Sequence, residues 1–477
     1  MKFTNGRWQP RHIKIEPTKE KLTDAAGLGT LVEIFDHSPL SEQFKRCLPM
    51  RTHARSHGSY RLGLIQLASF LYGHDSIDDL KEFQNDPALE AIMRGQTVAP
   101  RTMGDFLRDF DESHIQRLNE YLAKMSWAIR KHLNEVLPEA QRPLEAIHAS
   151  IDTTFHEQSG NKMEGLAFNY DSKWGLDSQV VFDELGLAYG FQLRPGDVGN
   201  NVGSSELIEQ TFKAKKFKDE KYLSGDSAYC NQDCIRTSMR LGVKFTFTAH
   251  DKWTSWKSQV SGIDDWESWK WTEEELKSFE AKRQTPPQIE VGRFLWYPNW
   301  AEEKIVLNIV VKRTWRTESQ DQGLFDQQSA GGYWDYYGVV SNISLYANTK
   351  QQIIERHNKR GNAENFIKEE KYGYDLKHFP CLKIRANRAF GLLAMVAHNI
   401  LRWVALVEKP DKPHFSKKLR RRFVFIPAKV IQHARQVIMK VPVHFFKEVN
   451  RLRMAWRLEP HPAPALGFGI AGPPGVL

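Results

Sequence analysis

Near Leu144 the apolar residues stop recurring every three to four positions and begin to alternate. A pattern with helical period cannot sit as a strand, or the reverse, so this change divides the chain into regions of different architecture. Before it, Leu64, Leu67, Phe70 and Leu71 share one helical face, as do Met103, Phe106, Leu107 and Phe110. Asp75 or Ser76, Asp86-Pro87 and Pro100 mark helix boundaries. A short helix ending near Gly95, the TVAP turn and a helix over Arg101–Phe110 fit a helix-turn-helix, and equally an ordinary packed pair.

Beyond the change, Ala146–Phe155 alternates and carries Asp152. Val180–Glu184 and Leu187–Leu193 read as a hairpin ended by Arg194-Pro195-Gly196. A helix follows over Ser204–Phe217, then a short strand, Lys221–Ser224, running into Gly225-Asp226. Gln232–Leu241 is a helix stopped by Gly242, and Lys244–Ala249 is a further strand. Three strands, helix, strand, helix, strand predict a mixed α/β sheet.

The rest of the chain supports a division into parts. Between about 251 and 345 the helical pattern is lost, and nine of the 14 Trp fall there, from Trp253 to Trp334. Lys304–Lys312 and Tyr336–Ser341 read as strands, and Glu273–Arg283 as a surface helix or loop. Thr349–Lys371 is predicted helical, and Leu382–Val407 a long apolar helix. The expected organisation is a helical region (1–140), an α/β domain in two parts (141–250 and 346–408), a mainly β insertion (251–345), and a basic C-terminal region (409–477). That last region opens on Lys417, Lys418, Arg420, Arg421 and Arg422 and ends in a Pro- and Gly-rich tail expected to be disordered.

Composition excludes several classes. Four Cys without zinc spacing provide neither a disulfide framework nor a metal knot. The N-terminus has no apolar core of the kind a signal peptide needs. The apolar run Phe390–Val407 is interrupted by His398, Asn399, Arg402 and Trp403, so it is expected to be a buried helix rather than a membrane span. An intracellular protein follows, and its net charge of +9 suits a polyanionic partner.

Two acidic residues stand out by position. Asp152 lies inside a strand, where a charge needs a partner, and Asp226 follows a strand directly after Gly225. Carboxylates at the ends of neighbouring strands suit a divalent cation, although a cap or a surface turn explains either one alone. Further on, His357, Arg360, Glu364 and Lys371 recur at helical spacing, which would place a third carboxylate among phosphate-neutralising cations. A solvated charged helix fits that stretch as well.

Here the sequence resembles a family. The spacing His357-x2-Arg360-x3-Glu364-x6-Lys371 is similar to the Tyr-x2-Arg-x3-Glu-x6-Lys signature of bacterial insertion-sequence DDE transposases. The SIDTT segment around Asp152 resembles the first catalytic strand of these enzymes. The segment that starts at Asp226 (DSAYCNQDCIRTSMRLGVKFTF) resembles their second-acid segment with its helix and strand. LAYGFQLRPGDVGNNVGS and HDSIDDLKEFQNDPALEAIMRG look like further family segments, so the resemblance covers roughly residues 60–405. Two positions depart from the pattern: His357 stands for Tyr, and Ala228 for a common Gly.

The resemblance implies an RNase H-like fold interrupted by a β insertion before the third acid. It implies Asp152, Asp226 and Glu364 as catalytic metal ligands for two Mg²⁺ (Mn²⁺ substituting), and His357, Arg360 and Lys371 as DNA contacts. The expected reaction is cleavage at transposon ends and strand transfer of the 3′-hydroxyls into target DNA. The expected partners are double-stranded DNA, as terminal inverted repeats and target, and a second copy of the chain in the DNA complex. No membrane is expected, and the setting would be the bacterial cytoplasm, at the nucleoid. An aromatic residue of the insertion would receive a flipped base. The alternatives are a structure-specific nuclease on the same fold and a domesticated, non-catalytic DNA-binding protein.

Overall fold

The computed structural model of the chain describes residues 2–4, 7–9, 15–51, 57–84, 86–93, 95, 97–143, 146–213, 220–301, 305–316, 332–433 and 436–461. The alternation around Asp152 becomes β1 (Ile147–Glu157), and β2 (Trp174–Phe182) and β3 (Ala188–Pro195) follow it as an antiparallel meander. The chain then crosses to the other side of β1. There β4 (Lys221–Gly225) and β5 (Lys244–Thr248) lie parallel to it. The order in space is β3-β2-β1-β4-β5, the mixed α/β arrangement of an RNase H-like core with β1 at its centre.

The mainly β insertion joins the main sheet. Its strands β6 (Ile289–Trp296), β7 (Leu307–Arg316) and β8 (Tyr333–Ser341) continue the same sheet, with β8 paired antiparallel to β5. Without them β5 would be an edge with unpaired backbone groups, and β8 satisfies these. The opposite edge, β3, is closed by side chains instead. Asn119 exchanges two hydrogen bonds with the backbone of Phe191, at 2.8 and 3.1 Å, and Asn399 does the same with Ala188, at 2.8 and 2.9 Å.

Helices α1 (Ala26–Asp36), α2 (Ser59–Tyr72), α3 (Pro100–Arg108) and α4 (Glu112–Val136) precede the sheet. Asp111 starts α4 with a reciprocal capping box to His114. In the region read as a helix-turn-helix, one helix runs over Pro87–Ile92 and the next is α3, which buries Met103, Phe106 and Leu107. Helices α5 (Ser204–Lys213) and α6 (Gln232–Arg240) connect the strands, and Gly242 ends the second connection at φ +65°. The expectations for Ser204–Phe217 beyond Lys213, for Lys304 and for the tail after residue 461 lie outside the described residues.

The stretch expected as one helix over Thr349–Lys371 is two, α7 (Lys350–Asn358) and α8 (Gly361–Gly373). At the junction the backbone tightens to three-residue hydrogen bonds from Arg360, Asn362 and Ala363. Gly361, a weak helix former, sits at the break. Helix α9 (Ile384–Glu408) is long and apolar enough to cross a bilayer, but 94% of its apolar window is buried inside the fold. Its polar interruptions have partners: His398 and Arg402 bond the Gly186 and Leu185 carbonyls, and Trp403 donates to His132 at 2.9 Å. A continuous core runs from Ala25 through the helices and sheet to α9 and Leu452.

Candidate active site

Residues Ile147, Ala149 and Ile151 of β1 face the apolar core. His148, Ser150, Asp152, Thr154 and His156 therefore share the other face, by the two-residue period of a strand. Helices α7 and α8 lie along that face. Arg356 approaches His148 at 3.4 Å, and Arg360 Nη1 donates to Asp152 Oδ2 at 3.1 Å. His156 stands 3.9 Å from Glu370.

The parallel pairing of β1 and β4 sets Ser150 beside Ser224. Extending that register by two residues sets Asp226 level with Asp152, on strands about 4.8 Å apart. Asp226 leaves the strand as an N-cap, its Oδ1 accepting the Ala228 N–H at 2.9 Å. Glu364 lies in the first turn of α8, one turn beyond Arg360. It is exposed and makes no hydrogen bond or ion pair among the described residues.

The three carboxylates interact through charge. Asp152 is pushed up to about 6, chiefly by burial, and the charges of Asp226 and Glu364 raise it further. The Arg360 guanidinium and the Thr153 N–H act in the opposite direction. Such crowding suits a hard divalent cation, which prefers carboxylate oxygens and would relieve the repulsion. Among the described residues, however, no group of three His, Cys, Asp or Glu stands close enough to hold a metal ion as placed. The donor chemistry fits the metal, while Arg360 occupies one oxygen of Asp152.

The expected DNA contacts fall in different settings. His357 is buried, and its Nδ1 donates to the Thr246 carbonyl at 3.1 Å. Its Nε2 is therefore the acceptor, facing Tyr337 Oη at 2.7 Å and Thr248 Oγ1 at 3.1 Å. Burial lowers its pKa to about 4, so the ring is neutral and presents no free donor to a phosphate as placed. Lys371 is half-buried and donates to the Phe155 carbonyl at 2.8 Å. Arg360 is half-buried between solvent and Asp152.

The basic cluster separates in the same way. Arg420 is buried, donates to the Phe70 and Leu71 carbonyls at the end of α2, and lies over the Tyr374 ring. Arg422 pairs with Glu408 and Glu448. Lys417, Lys418 and Arg421 remain exposed. Of the Trp residues in the insertion, Trp256 and Trp296 are buried. Trp266 and Trp334 sandwich the Arg313 guanidinium at 4.0 and 4.4 Å, and Trp253 is exposed against His250.

Sequence reasoning missed Tyr337 and the His156–Glu370 contact. Tyr337 comes from a strand whose pairing with β5 nothing local announces. Glu370 is hidden in a charged run, and only its period relative to Phe366 and Ala363 points it inward.

The family model described as transposase DDE domain group 1 matches residues 7–461. No curated protein matches the chain. With nearly the whole length covered by that match, and with an RNase H-like sheet beneath the acids, the chain belongs to the DDE transposase family.

Proposed function

We propose that this transposase belongs to the Tyr-Arg-Glu-Lys group, with His357 in place of the Tyr, and that Asp152, Asp226 and Glu364 are its catalytic acids. In this reading it cuts transposon ends and joins the freed 3′-hydroxyls to target DNA. The observation that carries the proposal is the parallel pairing of Ser150 with Ser224, two residues before Asp152 and Asp226, with Arg360 tying the helix of Glu364 to Asp152. Two Mg²⁺, or Mn²⁺ in their place, held by these carboxylates would supply Lewis acidity for in-line displacement at phosphorus. Arg360 holds one oxygen of Asp152, and if that carboxylate held a cation instead, the guanidinium would be free for a DNA phosphate. Lys371 steadies β1 through the Phe155 carbonyl. His357 acts from beneath, fixing α7 to β5 and β8.

The N-terminal helices would read the inverted repeats, Lys417, Lys418 and Arg421 would add phosphate contacts, and two copies would synapse two ends at the bacterial nucleoid. The test is a supercoiled donor plasmid carrying the DNA that flanks the gene, incubated with the full chain and Mg²⁺. Nicks exposing 3′-hydroxyls at the element ends, followed by joined products, are expected, and Asp152→Asn, Asp226→Asn and Glu364→Gln should each abolish both. Cleavage without joining would make the chain a nuclease. Binding without cleavage would make it a non-catalytic DNA-binding protein.

A further inference from the structure

The third carboxylate comes from a helix, whereas the other two come from the sheet. Its position therefore depends on how α8 is set along β1. Contacts from Arg356–His148, on α7, to Glu370–His156, on α8, run along about 26 Å of strand, so the two helices together follow β1 nearly end to end. The outer tie is Arg360 on Asp152, which a cation would compete for. The inner tie is Lys371 on the Phe155 carbonyl, and one residue before it Glu370 packs beside His156 at 3.9 Å without a hydrogen bond.

The Glu370–His156 contact is unusual in its chemistry. Both side chains are fully buried, and His156 Nε2 stands 2.8 Å from Ser178 Oγ on β2. Among the described residues, neither carboxyl oxygen of Glu370 has a hydrogen-bond partner. Burial raises the Glu370 carboxyl and lowers the His156 ring, so both are neutral at physiological pH. A buried carboxyl without hydrogen bonds costs stability, and an apolar residue would pack there more favourably. Costly polar groups of this kind are expected where function sets the geometry.

We propose that Glu370 and His156 are a positioning pair that sets the height of Glu364 above Asp152, so that the third carboxylate can reach a cation held by the first two. The inference rests on the assignment of Asp152, Asp226 and Glu364 as metal ligands. It can be tested in the full-length chain by titrating Mn²⁺ calorimetrically without DNA, by thermal melting, and by cleavage of an end-bearing duplex. Glu370→Leu removes the unbonded carboxyl, so its melting temperature should equal or exceed that of the wild type. Its Mn²⁺ affinity and kcat should nonetheless fall about tenfold, with KM for the duplex within about twofold of wild type. Glu370→Gln, which has the shape of the neutral acid, should restore both to within about twofold. Unchanged Mn²⁺ affinity in Glu370→Leu, or no rescue by Glu370→Gln, overturns the positioning role while leaving the catalytic assignment standing. If the wild type binds no Mn²⁺, the catalytic assignment falls, and this inference falls with it.

Discussion

Replacing Asp152 by Asn should stabilise the metal-free protein while abolishing its activity. The Asp152 side chain is only 15% exposed, and its pKa stands at about 6 against an ordinary 3.8. The net effect of burial, Arg360, Asp226 and Glu364 is therefore to penalise the charged form by roughly 3 kcal/mol, at 1.36 kcal/mol per pKa unit. Because the folded pKa is the higher one, this penalty is absent below pH 4, grows as the pH rises through 6, and is complete above about 7. The uncharged amide of the Asp152→Asn variant escapes it. With an unfolding entropy of about 2.1 cal/mol/K per residue, the gain corresponds to a rise in Tm of about 3 °C at pH 7.5 if the chain unfolds as one unit.

At pH 4.5 the gain should shrink to about one third, because the unfolded carboxyl is then partly protonated too. The assay is thermal melting in a chelator at both pH values, followed by addition of Mn²⁺. Mn²⁺ should raise the Tm of the wild type, by preferential binding to the folded state, and leave the Asn variant nearly unmoved. A variant that is less stable than wild type by the same amount at both pH values would refute the reasoning. Asp152 would then be a structural partner of Arg360 rather than a crowded ligand waiting for a cation.

Other changes separate structural from DNA-facing cations. Arg420→Ala should cost about 2–3 kcal/mol in chemical denaturation, by leaving two buried carbonyls unpaired, and should leave the salt dependence of DNA binding unchanged. The combined Lys417→Ala, Lys418→Ala and Arg421→Ala variant should melt like the wild type. It should also reduce the slope of log K against log salt, by up to about 0.9 for each phosphate no longer neutralised, as read by fluorescence anisotropy. Gly186→Ala should destabilise by about 2–4 kcal/mol, since Gly186 has φ +77° and an added Cβ would collide with the Phe366 ring; denaturant midpoints check this. Tyr337→Phe, which removes a hydroxyl from His357 Nε2, should cost about 1 kcal/mol and affect the KM for DNA less than Arg360→Ala does.

How far the sequence disclosed this structure depended on whether the signal was local. The strands around Asp152 and Asp226, the stop at Gly242 and the buried apolar helix were all legible, because period, caps and breakers act over a few residues. The polar residues of α9 were correctly read as marking a buried helix, and the structure supplies the reason: each bonds the turn between β2 and β3 or a neighbouring helix. The joining of the insertion to the main sheet was not legible, since Val339 pairs with Thr248 across 91 residues and neither strand carries a mark of its partner. The break at Arg360 was missed because Gly361 is tolerated inside many helices. Arg420 looked like its exposed neighbours because a run of basic residues does not reveal which one turns inward.

The same long-range pairing explains how a chain can carry so large an excursion between its second and third acids. The insertion leaves the sheet from β5 and returns through β8, and Thr246 and Ser341 are direct partners in that ladder. The excursion therefore begins and ends at neighbouring points, and the cost of closing it grows only slowly with its length. From Ser341 the chain needs only a short connection to reach α7, where His357 bonds Thr246 on β5 and Tyr337 on β8. One buried imidazole thus ties the exit, the return and the helix leading to Glu364 into a single body. The length of chain between β5 and β8 therefore has little bearing on α8, which Arg360 and Lys371 hold to β1.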